Sequence, residues 1–159
     1  MVVKNIIFAV IIFLFIGGFV AYKISGGEKT QTAQPYIEVD KYSVNLGKVS
    51  MADGVAKTTF NLKNSGSQEM EIKSLQTSCM CTTVKLIIDG NESPIFGMHA
   101  NPAWKANLAA GASAVLEVMF DPNAHGPNGT GSFERLILVG SNAGNEKELQ
   151  LRIIGTVVK

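Results

Sequence analysis

From Pro35 onward, apolar and polar residues alternate in short runs, and Gly, Asn and Asp break the runs about every dozen residues. Tyr36-Ile-Glu-Val39 and Tyr42 to Leu46 read as a first strand kinked at Asp40-Lys41. Val55 to Lys63 follows with Phe60 and Leu62 on one face, and Asn64-Ser-Gly-Ser67 is the turn after it. Met70 to Leu75, Thr82 to Ile88, Ala114 to Phe120, Phe133 to Val139 and Glu148 to Val158 complete the set. No segment after residue 35 carries a helical apolar period. About seven strands in about 120 residues predict an all-β, immunoglobulin-like β-sandwich. The alternation assigns Phe60, Leu62, Val84, Leu116, Val118, Leu138 and Leu151 to its core, with Met51, Met70 and Met119 as filler.

Two stretches depart from this texture. Asp89 to Gly111 is too long for a hairpin and contains Phe96-Gly-Met-His99, Asn101-Pro-Ala-Trp104 and the only Trp of the chain. It reads either as a functional loop or as a lid that covers a sheet edge with Phe96 and Trp104. The other stretch is Ile6 to Tyr22, roughly 17 apolar residues or about 25 Å of helix, enough to cross a bilayer. Tyr22 and Lys23 suit the interface at its end. The expected organisation is an N-terminal transmembrane anchor at 1–24, a flexible linker at 25–35 and the immunoglobulin-like domain at 36–159. A cleaved signal peptide is the competing reading, with Ser25-Gly-Gly27 as its best processing site. The short N-terminal tail places the body outside the cytoplasm, at a cell surface or in a periplasm, as a single-pass membrane protein.

Charge narrows the partner class. The net charge is +1, from 14 Lys+Arg against 13 Asp+Glu, which leaves no broad basic surface for nucleic acid. Two Cys cannot make a disulfide-dense scaffold, so the core comes from ordinary burial. No Gly-X-Ser-X-Gly elbow and no Gly-rich phosphate loop is present, which counts against a hydrolase or a nucleotide enzyme.

An ordered series of motifs marks the body: Leu46-Gly-Lys-Val49, Phe60-Asn-Leu-Lys-Asn-Ser-Gly66, Thr77-Ser-Cys-Met-Cys-Thr82, Ala110-Gly111 and Phe120-Asp-Pro122. The series resembles bacterial domain-of-unknown-function family 1573, itself similar to the Hydin and major-sperm-protein immunoglobulin-like sandwiches. The resemblance spans roughly residues 36 to 157. It implies an extracytoplasmic, non-catalytic sandwich and supplies no activity. Met80 stands where that family usually has Gly, and the Asp89 to Gly111 stretch is longer than the family's.

The candidate chemistry is carried by few residues. Cys79 and Cys81 are the only Cys, and His99 and His125 the only His. Soft ligands therefore collect at Cys79-Met80-Cys81, at Met98-His99 and at His125. Thiolate, thioether and imidazole together suit copper first, then zinc. Connections alternate between the two ends of a sandwich, so the Cys loop and the His125 loop share an end. About ten extended residues from Ile88 span roughly 33 Å, enough to bring Met98 and His99 across. The expected metal set is Cys79, Cys81, Met98, His99 and His125, with Met80 as a further weak ligand and copper as the candidate cofactor. A Cys79–Cys81 disulfide is an alternative that needs a tight turn. The leading function is a membrane-anchored, extracytoplasmic binding or assembly module that meets the membrane through residues 6–22 and a protein through loops or an edge strand. The alternative is a copper-binding or redox protein.

The topology is open to a direct test. The full chain should sediment with membranes and a chain starting at Thr30 should not; mature protein beginning near Glu28 in the soluble fraction would replace the anchor with a signal peptide.

Overall fold

The computed structural model describes residues 33–99 and 103–159, which lie in two antiparallel-rich sheets facing each other. The apolar run 6–22 lies outside the described residues; among those described, no helix is long and apolar enough to cross a membrane. The strands are β1 (Ile37–Val39), β2 (Ser43–Ser50), β3 (Ala56–Asn64), β4 (Met70–Thr77), β5 (Thr82–Ile88), β6 (Asn91–Glu92), β7 (Ala106–Leu108), β8 (Ser113–Phe120), β9 (Gly131–Ser141) and β10 (Glu148–Val158). One sheet has the order β1-β3-β8-β5-β6 and the other β2-β10-β9-β4-β7. All pairs are antiparallel except β2 with β10.

Period-two patterning explains the core. Phe60 and Leu62 on β3, Val84 and Leu86 on β5, and Leu116 and Val118 on β8 point inward from the first sheet and are buried. Met70, Ile72, Leu75, Ile137, Val139, Leu149, Leu151 and Ile153 oppose them from the second. Leu138 is a correction. It is half-buried on the outer side of β9, because Leu136-Ile-Leu-Val139 is continuously apolar and offers no alternation from which to read a face. Met119 likewise faces outward on β8, Met51 is only partly buried, and Met70 alone of the three is a full core residue. On β4 the pairing with β9 shifts register between Ile72 and Ser74, and this bulge brings both Ile72 and Leu75 inward although they are an odd number of positions apart.

The expected first strand is two strands. β1 pairs with β3 in one sheet and β2 with β10 in the other, so the kink at Asp40-Lys41 is a crossing between sheets. Asp40 fixes it through Oδ1, which accepts from the Asn61 backbone N–H (3.0 Å), and Oδ2, which accepts from the Asn61 side-chain amide (2.9 Å). Burial pushes the Asp40 carboxyl up, but these donors and the adjacent Lys41 ammonium outweigh it and hold the group below its ordinary value.

The long stretch after β5 acts as a lid. β6 pairs with the edge of β5, Phe96 bridges back to Val84, and β7 pairs with the edge of β4, so one segment covers an edge of each sheet. Phe96 is buried with Trp104 against it at a centroid distance of 5.1 Å. A 2.7 Å contact from Lys85 Nζ to Glu92 clamps β6 to β5. Buried Asn64 anchors the far end: its amide donates to the carbonyls of Gln68 (2.8 Å) and Leu108 (2.9 Å), and its oxygen accepts from the N–H groups of Tyr36 (3.3 Å) and Gly66 (3.1 Å). A Cβ at Gly66 would run into the backbone of Gln34 and Tyr36, which accounts for glycine there.

Asp40 supplies a pH test. Folding lowers its pKa, so its contribution to stability is complete above the unfolded value of about 3.9 and is lost as pH falls through the lower folded value. Asp40→Asn should therefore cost stability at pH 6 and little at pH 2. A constant difference in urea midpoint across that range would show that the charge of Asp40 is irrelevant.

Candidate functional site

The Cys-Met-Cys motif is the crossing from β4 in one sheet to β5 in the other. Only Ser78 to Cys81 separate the two strands. Ser78 extends the β4–β9 ladder: its N–H donates to the Leu136 carbonyl (3.0 Å) and its Oγ accepts from the Leu136 N–H (2.9 Å). The chain then turns back, with the Thr82 N–H donating to the Cys79 carbonyl (3.1 Å). The buried Thr77 hydroxyl lies 2.8 Å from the Thr82 carbonyl and 3.1 Å from that of Cys79, and donates its proton across the turn. The Asp121 N–H, just after β8, donates to the Cys81 carbonyl (2.8 Å).

This turn is tight enough to pair the two Cys. Their Cα atoms are 5.3 Å apart, within the disulfide range, and the sulfurs lie at disulfide distance. The two sulfurs have different surroundings. Cys81 is buried, and its sulfur takes a 3.1 Å contact from Arg135 Nε and lies 3.6 Å from Thr82 Oγ1. Arg135 is itself placed over the Phe133 ring at 5.7 Å, and Phe133 stacks on Phe120 at 4.1 Å. Cys79 is only half-buried; its sulfur accepts from the Cys81 N–H (3.3 Å) and lies 3.4 Å from Nε2 of exposed His125.

His125 reaches this point from the β8–β9 connection, where Asp121 Oδ1 accepts from the Asn123 N–H (2.8 Å) and the Gly126 N–H donates to the Asn123 carbonyl (2.9 Å). Gly126 has φ 77°, a left-handed position that favours glycine directly after the His. The ligand atoms of Cys79, Cys81 and His125 all lie within 4.8 Å of one another. His99 is exposed and lies outside that group. Met98 does come to the same end: the Gly97 carbonyl accepts from the Thr77 N–H (3.3 Å), and the Met98 carbonyl accepts from the Gln76 amide (3.5 Å). Met98 is 40% exposed, and Met80, at the tip of the turn, is 68% exposed. Arg135 arrives from a strand more than fifty residues away; its sequence signal is parity, since it falls on the face of β9 that also carries buried Phe133 and Ile137.

Residues 37–95 match the family described as protein of unknown function (DUF1573). That is the family the motifs resemble. The match takes in Leu46 to Val49, Phe60 to Gly66 and Thr77 to Thr82; Ala110-Gly111 and Phe120 to Pro122 lie beyond it. Among solved structures, a protein of unknown function from Porphyromonas gingivalis W83 is similar at 16% identity with a TM-score of 0.59, over 82% of this chain and 51% of that one. The chain thus spans about half the length of that protein. The PapD-like domain 7 of human CEP192 is similar at 14% identity with a TM-score of 0.51, over 84% of this chain and 92% of that one. These likenesses show the immunoglobulin-like sandwich and nothing finer. No curated protein matches the chain.

The turn's hydrogen bonds can be tested singly. Thr77→Val should cost about 1–3 kcal/mol in urea unfolding, because it removes the buried hydroxyl that donates to the Thr82 carbonyl. Unchanged stability would mean that the crossing is held by its other bonds alone.

Proposed function

We propose that the chain is a membrane-anchored, extracytoplasmic, immunoglobulin-like binding or assembly module, and that the Cys-Met-Cys end is the surface it presents to a protein partner. The observation that carries this reading is Met80: a large apolar side chain, 68% exposed, on a turn fixed from both sheets. Exposed apolar surface that is already ordered loses little entropy when a partner covers it. Met98 extends the apolar surface and His125 supplies a polar neighbour. The edge strands are weaker candidates. β1, β6 and β7 have three residues or fewer, and a register shift opposite Ile154 and Thr156 interrupts the longer β2.

A photo-crosslinking residue at position 80 should give a discrete adduct in cells, and one at exposed Ser67, at the other end of β4, should not. Equal adducts from both positions, or none from position 80, would remove this end as the partner surface.

The convergence of Cys79, Cys81 and His125 favours a second reading, in which the reduced chain binds copper or, less well, zinc. Met80, Met98 and His99 are the further ligands that reading calls on. Sulfurs paired with each other offer no thiolate, so metal and disulfide are alternative states of one turn. The reduced chain should then retain Cu(I) by elemental analysis and the oxidised chain or Cys79→Ser should not. Equal retention in all three would place the metal elsewhere.

A further inference from the structure

We propose that Cys79 and Cys81 form a thiol–disulfide exchange centre whose substrates are the cysteines of an extended polypeptide, with Cys79 as the sulfur attacked and Cys81, held by Arg135, as the sulfur that leaves. The proposal rests on the reading of this end as the partner surface, and it assigns the chemistry done there.

A structural role accounts poorly for this bond. The two Cys are two positions apart, so closing the loop removes very little chain entropy from the unfolded state. The turn is also already held by bonds from Thr77, Ser78, Thr82 and Asp121. What distinguishes the pair is its asymmetry. Cys79 is half-buried beside exposed His125, whereas Cys81 is 2% exposed and takes the Arg135 Nε contact at 3.1 Å. An incoming thiolate meets the accessible sulfur, and negative charge then develops on the one next to the guanidinium. Met80, between the two Cys, and Met98, at the same end of the sandwich, provide exposed apolar surface on which a polypeptide can rest.

The step balances with a dithiol polypeptide as reductant. One substrate thiolate attacks Cys79 Sγ; a substrate–Cys79 disulfide forms, the Cys79–Cys81 bond breaks, and Cys81 departs as thiolate toward Arg135. The second substrate thiolate attacks the substrate sulfur of the mixed disulfide and expels Cys79, which takes a proton from water. Two electrons pass to the chain, which ends with Cys79 as a thiol and Cys81 as a thiolate beside Arg135; the substrate, whose two thiol protons went to water, leaves as a disulfide. The same steps in reverse let the dithiol chain reduce a substrate disulfide.

The full chain in non-ionic detergent is tested with glutathione and with a synthetic dithiol peptide. The oxidised chain should oxidise one peptide per chain. With glutathione disulfide, Cys81→Ser should accumulate a mixed disulfide on Cys79 at least roughly tenfold faster than Cys79→Ser does on Cys81, because Cys79 is the accessible sulfur and glutathione is the leaving group in both. Arg135→Leu should slow reduction by glutathione roughly tenfold and shift the exchange equilibrium toward the disulfide, and Arg135→Lys should restore most of both; a merely structural arginine would move neither once folding is confirmed by thermal unfolding. Met80→Ser should lower the rate with the peptide by a larger factor than the rate with glutathione. An equal effect on the two rates overturns the partner surface and leaves the chemistry. A disulfide that resists both glutathione and peptide until the chain unfolds, or equal trapping at the two Cys, overturns the exchange centre.

Discussion

Everything at the chemical end follows from one constraint: the chain must pass from β4 to β5, in opposite sheets roughly 10 Å apart, within the four residues Ser78 to Cys81. A loop that short cannot meander. Each of its backbone groups near the core needs a partner at once, and Thr77, Thr82, Leu136 and Asp121 provide them from β4, β5, β9 and the end of β8. The crossing therefore brings two Cys close together at a place where both sheets converge. Their proximity is a consequence of the sandwich's topology as much as of their spacing in sequence.

The same topology explains why the long stretch after β5 is useful there. It leaves along the edge of β5, returns past Val84 through Phe96, and ends on the edge of β4. Sealing two edges with one segment forces the segment to cross between sheets, and the crossing lies beside Gln76 and Thr77. Met98 reaches the Cys end as a by-product of edge protection. Reading the stretch as a lid and reading it as a contributor to the site are thus compatible, because the covering path and the reaching path are the same path.

Strand placement was legible where polar residues separate apolar ones, as in Thr58-Thr-Phe60-Asn-Leu62, and failed where they do not. Leu138 reads as core only if alternation is extended into Leu136 to Val139, where there is none, and the pairing of β9 with β4 and β10 sets its face outward. The split of the first strand was visible as a kink at Asp40-Lys41, but its meaning depends on Asn61, twenty-one residues away. Cys79, Cys81 and His125 could be brought together from loop parity alone, since parity is a property of topology. Arg135 could not: its parity puts it on the face of β9 that carries buried Phe133 and Ile137, but a charge at such a position does not name the sulfur it meets.

Met80 is where the chain departs from the family it resembles, which usually has Gly at that position. If the turn required a left-handed residue there, Met would be strained and its exposure a cost of the fold. Among the described residues, however, the only non-glycine with positive φ is Asp89, so the backbone at Met80 is one that any L-residue adopts. Glycine is then not a steric demand of the crossing, and position 80 is free to carry a side chain. A long, polarizable, unbranched group placed there adds an apolar contact beside the two sulfurs without disturbing the hydrogen bonds of Thr77 and Thr82 that hold the turn. The scaffold of the crossing and the surface it displays can therefore vary separately, the first fixed by the sheets and the second set by one residue at the tip.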